Sequence, residues 1–382
     1  MRVAILANFP LHVLPAEEGF PFPSGHYATW LPQLAEAFSK WPRFELHWVT
    51  LTGHVSRPTV KSWKGQTFHL LPTRERGRAL TFYARDREQI RQCLEGIRPQ
   101  LVHGWGTEDI YAFGAVASGY PHIVSMQGII SHYALKNRMS PRNYFQALLE
   151  LYILRKAQCV TVESQWGAEV LRRRNPRLRP ERIEYGVNHE FLDVAWKPDP
   201  AKPAALFVGS VAPRKGIHDA VAAFADPALA GMELWIAGGI DSPWSRELRE
   251  RATPNVRWLG RVPTAEIASL MSRAWCLVLP TRADTSPNVV KEARVIGLPV
   301  VTSPEGGQST YIQEGGAGSL VVPGDIDRLI RALRGILGDY GKCRAMGACQ
   351  WEEHRHLLHP DRTAEAFAQL YERRIAQAPA SL

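Results

Sequence analysis

Residues 280–301 read PTRADTSPNVVKEARVIGLPVV, directly after the apolar run Cys276–Leu279. That run is short and continuously apolar, as in a strand buried on both faces. Ser286 is a good N-cap and Pro287 suits the first helical position. A helix therefore opens just past the carboxyl end of a strand. Gly297-Leu298-Pro299 stops it and returns the chain to a strand over 299–302. Strand, helix and strand in so short a span are the unit of a parallel sheet with helical crossovers. The helix start also carries chemistry. Its first amides, on residues such as Asn288 and Val289, have no intrahelical acceptor and suit an anion such as a diphosphate. Asn288 and Glu292 are four apart and share a face. Glu292, one turn in, is placed to accept hydrogen bonds from vicinal hydroxyls such as those of a ribose. An ordinary capped helix with an exposed acid fits the same residues.

The pattern repeats outward. In the same half, 205–208, 233–237 and 256–259 read as strands, and 216–225, 243–251 and 264–272 as helices. After the first of these strands comes Gly209, then Arg214-Lys215-Gly216 at the start of a helix. Two adjacent cations beside glycines can approach phosphate oxygens, arginine as a fork and lysine as a point charge. A solvated basic turn is the plainer reading. The pair lies, however, at a strand's carboxyl end in the same domain as the acid-bearing helix. The first half alternates likewise, with strands over 3–7, 44–50, 101–103, 122–125 and 159–162, and helices over 26–39, 79–97 and 144–156. Between the halves, VAWKPDPAKP (194–203) has three prolines and no periodicity, and reads as a linker. The fold class is α/β, with two doubly wound parallel sheets whose ligands bind beyond the carboxyl ends of the strands.

Composition narrows the function. The chain has 382 residues, 45% hydrophobic and 22% charged, which excludes disordered, collagen-like and coiled-coil classes. No apolar run reaches the roughly 20 residues of a membrane-spanning helix. Five scattered cysteines without a CxxC pattern suit reduced thiols in a cytoplasmic protein and supply no zinc motif. The net charge of +9 is uneven. Residues 1–190 hold 24 basic and 16 acidic side chains, and the remainder 22 and 21. Either the first half meets an anionic surface or molecule, or its arginines are a solvated face.

Weaker candidates sit in the first half. Ser24-Gly25-His26 lies between the first strand and first helix, where a glycine lets backbone approach a ligand. His103 and Gln127 follow apolar strands and could touch a sugar; a satisfied core histidine and a simple turn are the alternatives. Asp325-Ile326-Asp327 reads as helix capping, not a metal site. The segment over 144–156 is apolar with a basic end, suited to a core or to a lipid surface.

Taken in order, these motifs resemble a family. Gly25, Tyr185-Gly186-Val187-Asn188, Val208-Gly209 with Arg214-Lys215-Gly216, and Ile236-Ala237-Gly238 come first. Leu259-Gly260-Arg261-Val262, the acid segment, Gly306-Gly307 and Val322-Pro323-Gly324-Asp325 follow. The chain is similar to the retaining GT-B glycosyltransferases of glycosyltransferase family 4, also called glycosyl transferases group 1. The resemblance implies two Rossmann-like domains facing a central cleft. An acceptor domain would span 1–193, a linker 194–203 and a donor domain 204–355, with a C-terminal helix (356–382) packing back on the first domain.

It also implies a donor that is a nucleotide-diphosphate sugar of UDP or GDP type, with neither metal nor cofactor. Glu292 would hold the ribose and Asp284 the sugar hydroxyls. Arg214 and Lys215 would neutralise the leaving diphosphate. Gly25, Gly209, Asn288 and Val289 would line the phosphates, and backbone at Arg261 and Val262 the base. His26, His103 and Gln127 would face sugar or acceptor. Two positions depart from the family. Asp284 stands where glutamate is common and is one methylene shorter. Gln127 stands where many relatives carry histidine, and cannot titrate. The implied mechanism is front-side, with the leaving phosphate taking the acceptor's proton, so it needs positioning and cations more than a base. The acceptor would be a glycan, a lipid-linked sugar or a small molecule. The protein would be cytoplasmic, with peripheral contact at the inner membrane face through the basic first domain, and no nucleic acid as partner. A nucleotide-sugar epimerase of the same fold, or a donor- or partner-binding scaffold with weakened catalysis, is the other outcome these residues allow.

Overall fold

The computed structural model describes residues 1–15, 28, 30–74, 77–136, 140–315, 317–349 and 351–377. The chain divides into two compact units, one of Met1–Gly186 with Pro360–Leu382, the other of Val187–His359. The break therefore lies at Gly186/Val187, not at 193/194. The proline-rich segment is no free strap: the Trp196 indole donates to the Ala274 carbonyl at 2.8 Å and the Lys197 amide to the Ser272 carbonyl at 2.8 Å, so it belongs to the second unit. The closing segment divides too. Trp351–Leu357 is a helix of the second unit and Pro360–Gln377 a helix of the first.

The first unit is built on eight strands: β1 (Arg2–Leu6), β2 (Glu45–Thr52), β3 (Thr59–Trp63), β4 (Gln66–Pro72), β5 (Leu101–Trp105), β6 (His122–Ser125), β7 (Val160–Val162) and β8 (Glu181–Arg182). Their order is β3-β4-β2-β1-β5-β6-β7-β8, and only β3 runs antiparallel. The β3–β4 hairpin is absent from the sequence reading. Its turn is Lys64-Gly65, both left-handed (φ 50° and 74°), the geometry that matches the twist of a two-residue hairpin. Lysine in place of asparagine hides that signal. The helix expected over 79–97 begins only at Ala84, because Phe82 and Tyr83 are left-handed (φ 48° and 57°). The Pro360–Gln377 helix closes this core, with Tyr371 stacked on Phe38 at 5.8 Å.

The second unit has six parallel strands: β9 (Ala204–Val208), β10 (Glu233–Ala237), β11 (Val256–Gly260), β12 (Cys276–Leu279), β13 (Val300–Thr302) and β14 (Gly318–Leu320). Their order is β11-β10-β9-β12-β13-β14. β9 and β12 are adjacent although the chain passes through β10 and β11 between them. The loops that follow β9 and β12 thus meet at one carboxyl edge, where the chain order reverses, the usual ligand position of such sheets. No described helix is long and apolar enough to cross a membrane.

Candidate active site

The helix after β12 starts one residue later than expected, at Asn288, with Pro287 as N-cap. Ser286 is not the cap. Its hydroxyl is buried and meets no partner among the described residues. Proline cannot cap with a side-chain oxygen, so no side chain occupies the helix start. The amides of Asn288 and Val289 have no intrahelical carbonyl to reach. Along Asn288–Ile296 only Asn288, Val289 and Glu292 keep partial exposure; the others are buried. The polar face is therefore one turn long and ends in a carboxylate.

Glu292 is half-buried, and no described hydrogen-bond donor meets its carboxyl. Desolvation pushes its pKa up to about 7, against a downward pull from the neighbouring Lys291 ammonium. Such a carboxyl, short of donors and at the edge of protonation near neutrality, is suited to accept hydrogen bonds from a ligand's hydroxyls.

The loop after β9 is fastened to the same edge by backbone. The Arg282 amide donates to the Arg214 carbonyl at 2.8 Å, and the Thr281 hydroxyl to the same oxygen at 3.1 Å. Gly216 makes this approach possible: a Cβ there would lie 1.9 Å from the Pro280 carbonyl oxygen, and its φ is +72°. Gly216→Ala should therefore destabilise the chain by about 2–5 kcal/mol, combining left-handed strain with a backbone clash. Urea unfolding of the variant measures this directly.

So held, the loop brings its cations to Asp284. Lys215 makes an ion pair with the Asp284 carboxylate, each side chain 15% exposed. The Arg214 guanidinium lies 3.9 Å from the same carboxylate, donates to the Ala283 carbonyl at 2.7 Å, and is half open to solvent. The Asp284 backbone is pinned from below: a Cβ on Gly306 would come within 1.9 Å of the Asp284 carbonyl oxygen, and the Gly307 amide donates to that oxygen at 3.2 Å. Sequence reading placed Gly306-Gly307 in the motif order without this role. It also missed Asp219, which is buried, pairs with Arg282 at 2.9 Å and accepts the Gly324 amide at 3.0 Å, tying a further loop to the edge.

The remaining candidates scatter. Gly209 is glycine-specific in backbone (φ +141°) and its amide reaches the Ala237 carbonyl. Arg261 is exposed and paired with Asp241, and Val262 packs on the core edge. Gly25 and His26 lie outside the described residues. His103 must be corrected: it is fully buried, with its ring nitrogens 2.7 Å from the Tyr371 hydroxyl and 2.6 Å from the Ser125 hydroxyl. Burial drives its pKa down to about 3, so it is a neutral core group without a free nitrogen for a sugar. Gln127 is partly open at the end of β6, beside Glu108. Glu108 was missed. It accepts the Gly128 amide at 2.6 Å, and burial with the nearby Glu150 charge raises its pKa to about 7. Among the first half's arginines, Arg173 pairs with Glu169, Arg182 with Glu184, and Arg179 donates to local carbonyls. Among the described residues, no group of three or more metal-ligating side chains forms.

Both units are open α/β sheets, parallel except for β3, and the second carries a charged loop and a free helix start at its switch point. Comparison gives the family. Residues 28–191 match the family model described as Glycosyltransferase Family 4, and residues 202–339 the one described as Glycosyl transferases group 1. The chain belongs to this family of glycosyltransferases. It is similar to a glycogen synthase of Mycobacterium tuberculosis, 33% identical over 152 residues, which are 38% of this chain and 36% of that protein. The chain matches only about a third of the length of the first such curated relatives. Its fold is similar to that of a sucrose-phosphate synthase from Thermosynechococcus elongatus, with TM-score 0.82, 20% identity, 99% of this chain and 100% of that one covered. It is also similar to that of Anabaena HepE in complex with UDP and glucose, with TM-score 0.72, 15% identity and coverage of 98% and 100%.

Proposed function

We propose that the chain is a retaining glycosyltransferase that moves a hexosyl group from a nucleotide-diphosphate sugar to an acceptor hydroxyl. The observation that carries this is the pairing of two sites on one sheet edge: the Arg214–Lys215–Asp284 cluster after β9 and β12, and the open Asn288–Glu292 face of the adjoining helix. Cations and free amides suit a diphosphate, and a donor-poor carboxylate suits a ribose. The acceptor is a glycan, a lipid-linked sugar or a small molecule. The fold likeness to a structure holding UDP and glucose favours uracil as the base and a hexose as the sugar.

In this reading the acceptor oxygen bonds to the anomeric carbon on the face that the phosphate leaves. The C–O bond to phosphate breaks, and the acceptor's proton passes to the departing phosphate oxygen. Arg214, Lys215 and the amides of Asn288 and Val289 stabilise the charge that grows there. Asp284 orients sugar hydroxyls and Glu292 the ribose. The chemistry uses no cofactor and assigns no step to a metal.

The test is a thermal-shift panel of nucleoside diphosphates and nucleotide sugars, with Glu292→Ala alongside. A ligand at a hundred times its Kd should add about 2.7 kcal/mol to the folded state. A shift with UDP or GDP that Glu292→Ala removes supports the donor site. No shift with any nucleotide would overturn it and leave the scaffold reading.

A further inference from the structure

We propose that the outer face of the helix Pro141–Lys156, together with the turn at Leu80–Phe82, docks the first unit on an anionic lipid surface. This deepens the acceptor side of the reading above, and rests on it only for the purpose the surface serves.

The helix has two faces. Gln146, Leu149, Glu150, Ile153 and Leu154 point inward and are buried. Tyr144, Leu148 and Tyr152, spaced four apart, line the outer side and stay exposed at 43%, 68% and 46%. Beside them the turn projects Leu80, 87% exposed, and Phe82, 59% exposed. The two elements are continuous: the Phe82 ring packs edge-on against Phe145 at 5.4 Å, and the Tyr83 hydroxyl donates to Gln146 at 3.2 Å. The turn reaches this position through left-handed backbone at Phe82 and Tyr83, which bulky side chains rarely adopt. Phe82 is thus held outward while Tyr83 turns inward and is buried. Half of the ten large hydrophobic side chains found exposed in the described residues fall on these two elements. A clustered apolar patch of this kind marks a contact surface.

Charge selects the occupant. Arg85, Arg142, Arg155 and Lys156 flank the patch, all exposed, and none has an acidic partner among the described residues. The one acid in the helix sequence, Glu150, is buried on the inner side, where it accepts the amides of Ile130 and Ser131 and the Thr107 hydroxyl. An apolar stripe flanked by exposed cations is the pattern of a helix lying in a lipid interface. A second copy on the same patch would set the two basic rims against each other. Each cation near an anionic membrane strengthens binding about fivefold.

The experiment is co-sedimentation of the whole chain with vesicles, without donor or acceptor. One set is phosphatidylcholine alone and the other carries about 30 mol% phosphatidylglycerol. The wild type should pellet with the anionic vesicles, remain in solution with the neutral ones, and be released as salt rises. The double variant Leu80→Ser, Leu148→Ser should weaken binding about tenfold or more, and Arg142→Gln with Lys156→Gln by a similar factor. Every substituted side chain is exposed, and an unchanged melting temperature with an intact nucleotide shift shows that the variants fold. Equal partitioning of the wild type to both vesicle types, or binding that neither double variant alters, overturns the proposal. So does a dimer in sedimentation velocity that Leu148→Glu dissolves. Because vesicle binding and the nucleotide shift are read separately, failure of one leaves the other standing.

Discussion

Lys215→Ala should lower turnover by about 10²–10³-fold, the usual loss when a group that stabilises transition-state charge is removed. The argument rests on where the ammonium is held. Lys215 sits in a loop whose backbone is bonded to Thr281 and Arg282, and its side chain is only 15% exposed and paired with Asp284. A cation so placed keeps its position as charge develops on a leaving phosphate, and the reorganisation cost is small. Arg214 lies 3.9 Å from the same carboxylate and is half exposed, so it should retain part of the donor's binding energy. The expected signature is a large fall in kcat with a smaller change in donor KM. A structural effect must be separated, because the substitution leaves Asp284 without its close partner. Lys215→Ala with Asp284→Asn removes both charges. Because Asp284 itself orients the sugar, Asp284→Asn alone is the reference: if the role is electrostatic on the substrate, the double variant recovers melting temperature but turns over well below Asp284→Asn. Equal turnover in the double variant and Asp284→Asn would mean that Lys215 serves the fold alone.

The fold was legible wherever local pattern and tertiary position agree. The strand, helix and strand around 276–302 could be read because an apolar run, a proline-marked helix start and a Gly-Leu-Pro stop each act over a few residues. The helix start was misplaced by one residue because Ser286 turns its hydroxyl inward instead of capping, a choice made by packing. The β3–β4 hairpin escaped because its left-handed turn is built from Lys64-Gly65, without the asparagine or aspartate that advertises such a turn. The site was legible as residue types, not as contacts. Lys215 and Asp284 are 69 positions apart and meet only because β9 and β12 are neighbours. Nothing local points to Gly306 as the support beneath Asp284, or to Asp219 as the tie to Gly324. His103 misled for the opposite reason. A polar residue at the end of the expected strand 101–103 resembles a site residue, but the strand runs on to Trp105 and the partner Tyr371 comes from the far end of the chain.

Glu292→Gln should weaken nucleotide binding by about tenfold to a hundredfold, the value of a charge-assisted hydrogen bond of roughly 1.5–3 kcal/mol. The same change should stabilise the protein above neutral pH. Desolvation raises the Glu292 pKa from 4.5 to about 7, so the folded chain keeps this proton over a range where the unfolded chain has lost it. Proton binding is then greater in the folded state, and stability falls as pH rises across the interval between those two values. Near pH 5 glutamate and glutamine should differ little. At pH 8 the wild type bears an unsatisfied half-buried charge that glutamine lacks, worth at most about 3 kcal/mol. Nucleotide affinity runs the other way. The ionised carboxylate is the stronger acceptor for two ribose hydroxyls, so wild-type affinity should rise from pH 6 to pH 8 while that of Glu292→Gln stays flat. Melting curves at pH 5 and pH 8, each with and without nucleotide, read both effects. A variant that is more stable and binds more weakly, with both differences growing with pH, identifies Glu292 as a charge kept at a cost to the fold for the sake of a ligand. A variant that binds normally at pH 8 removes the ribose role from Glu292, whatever its stability.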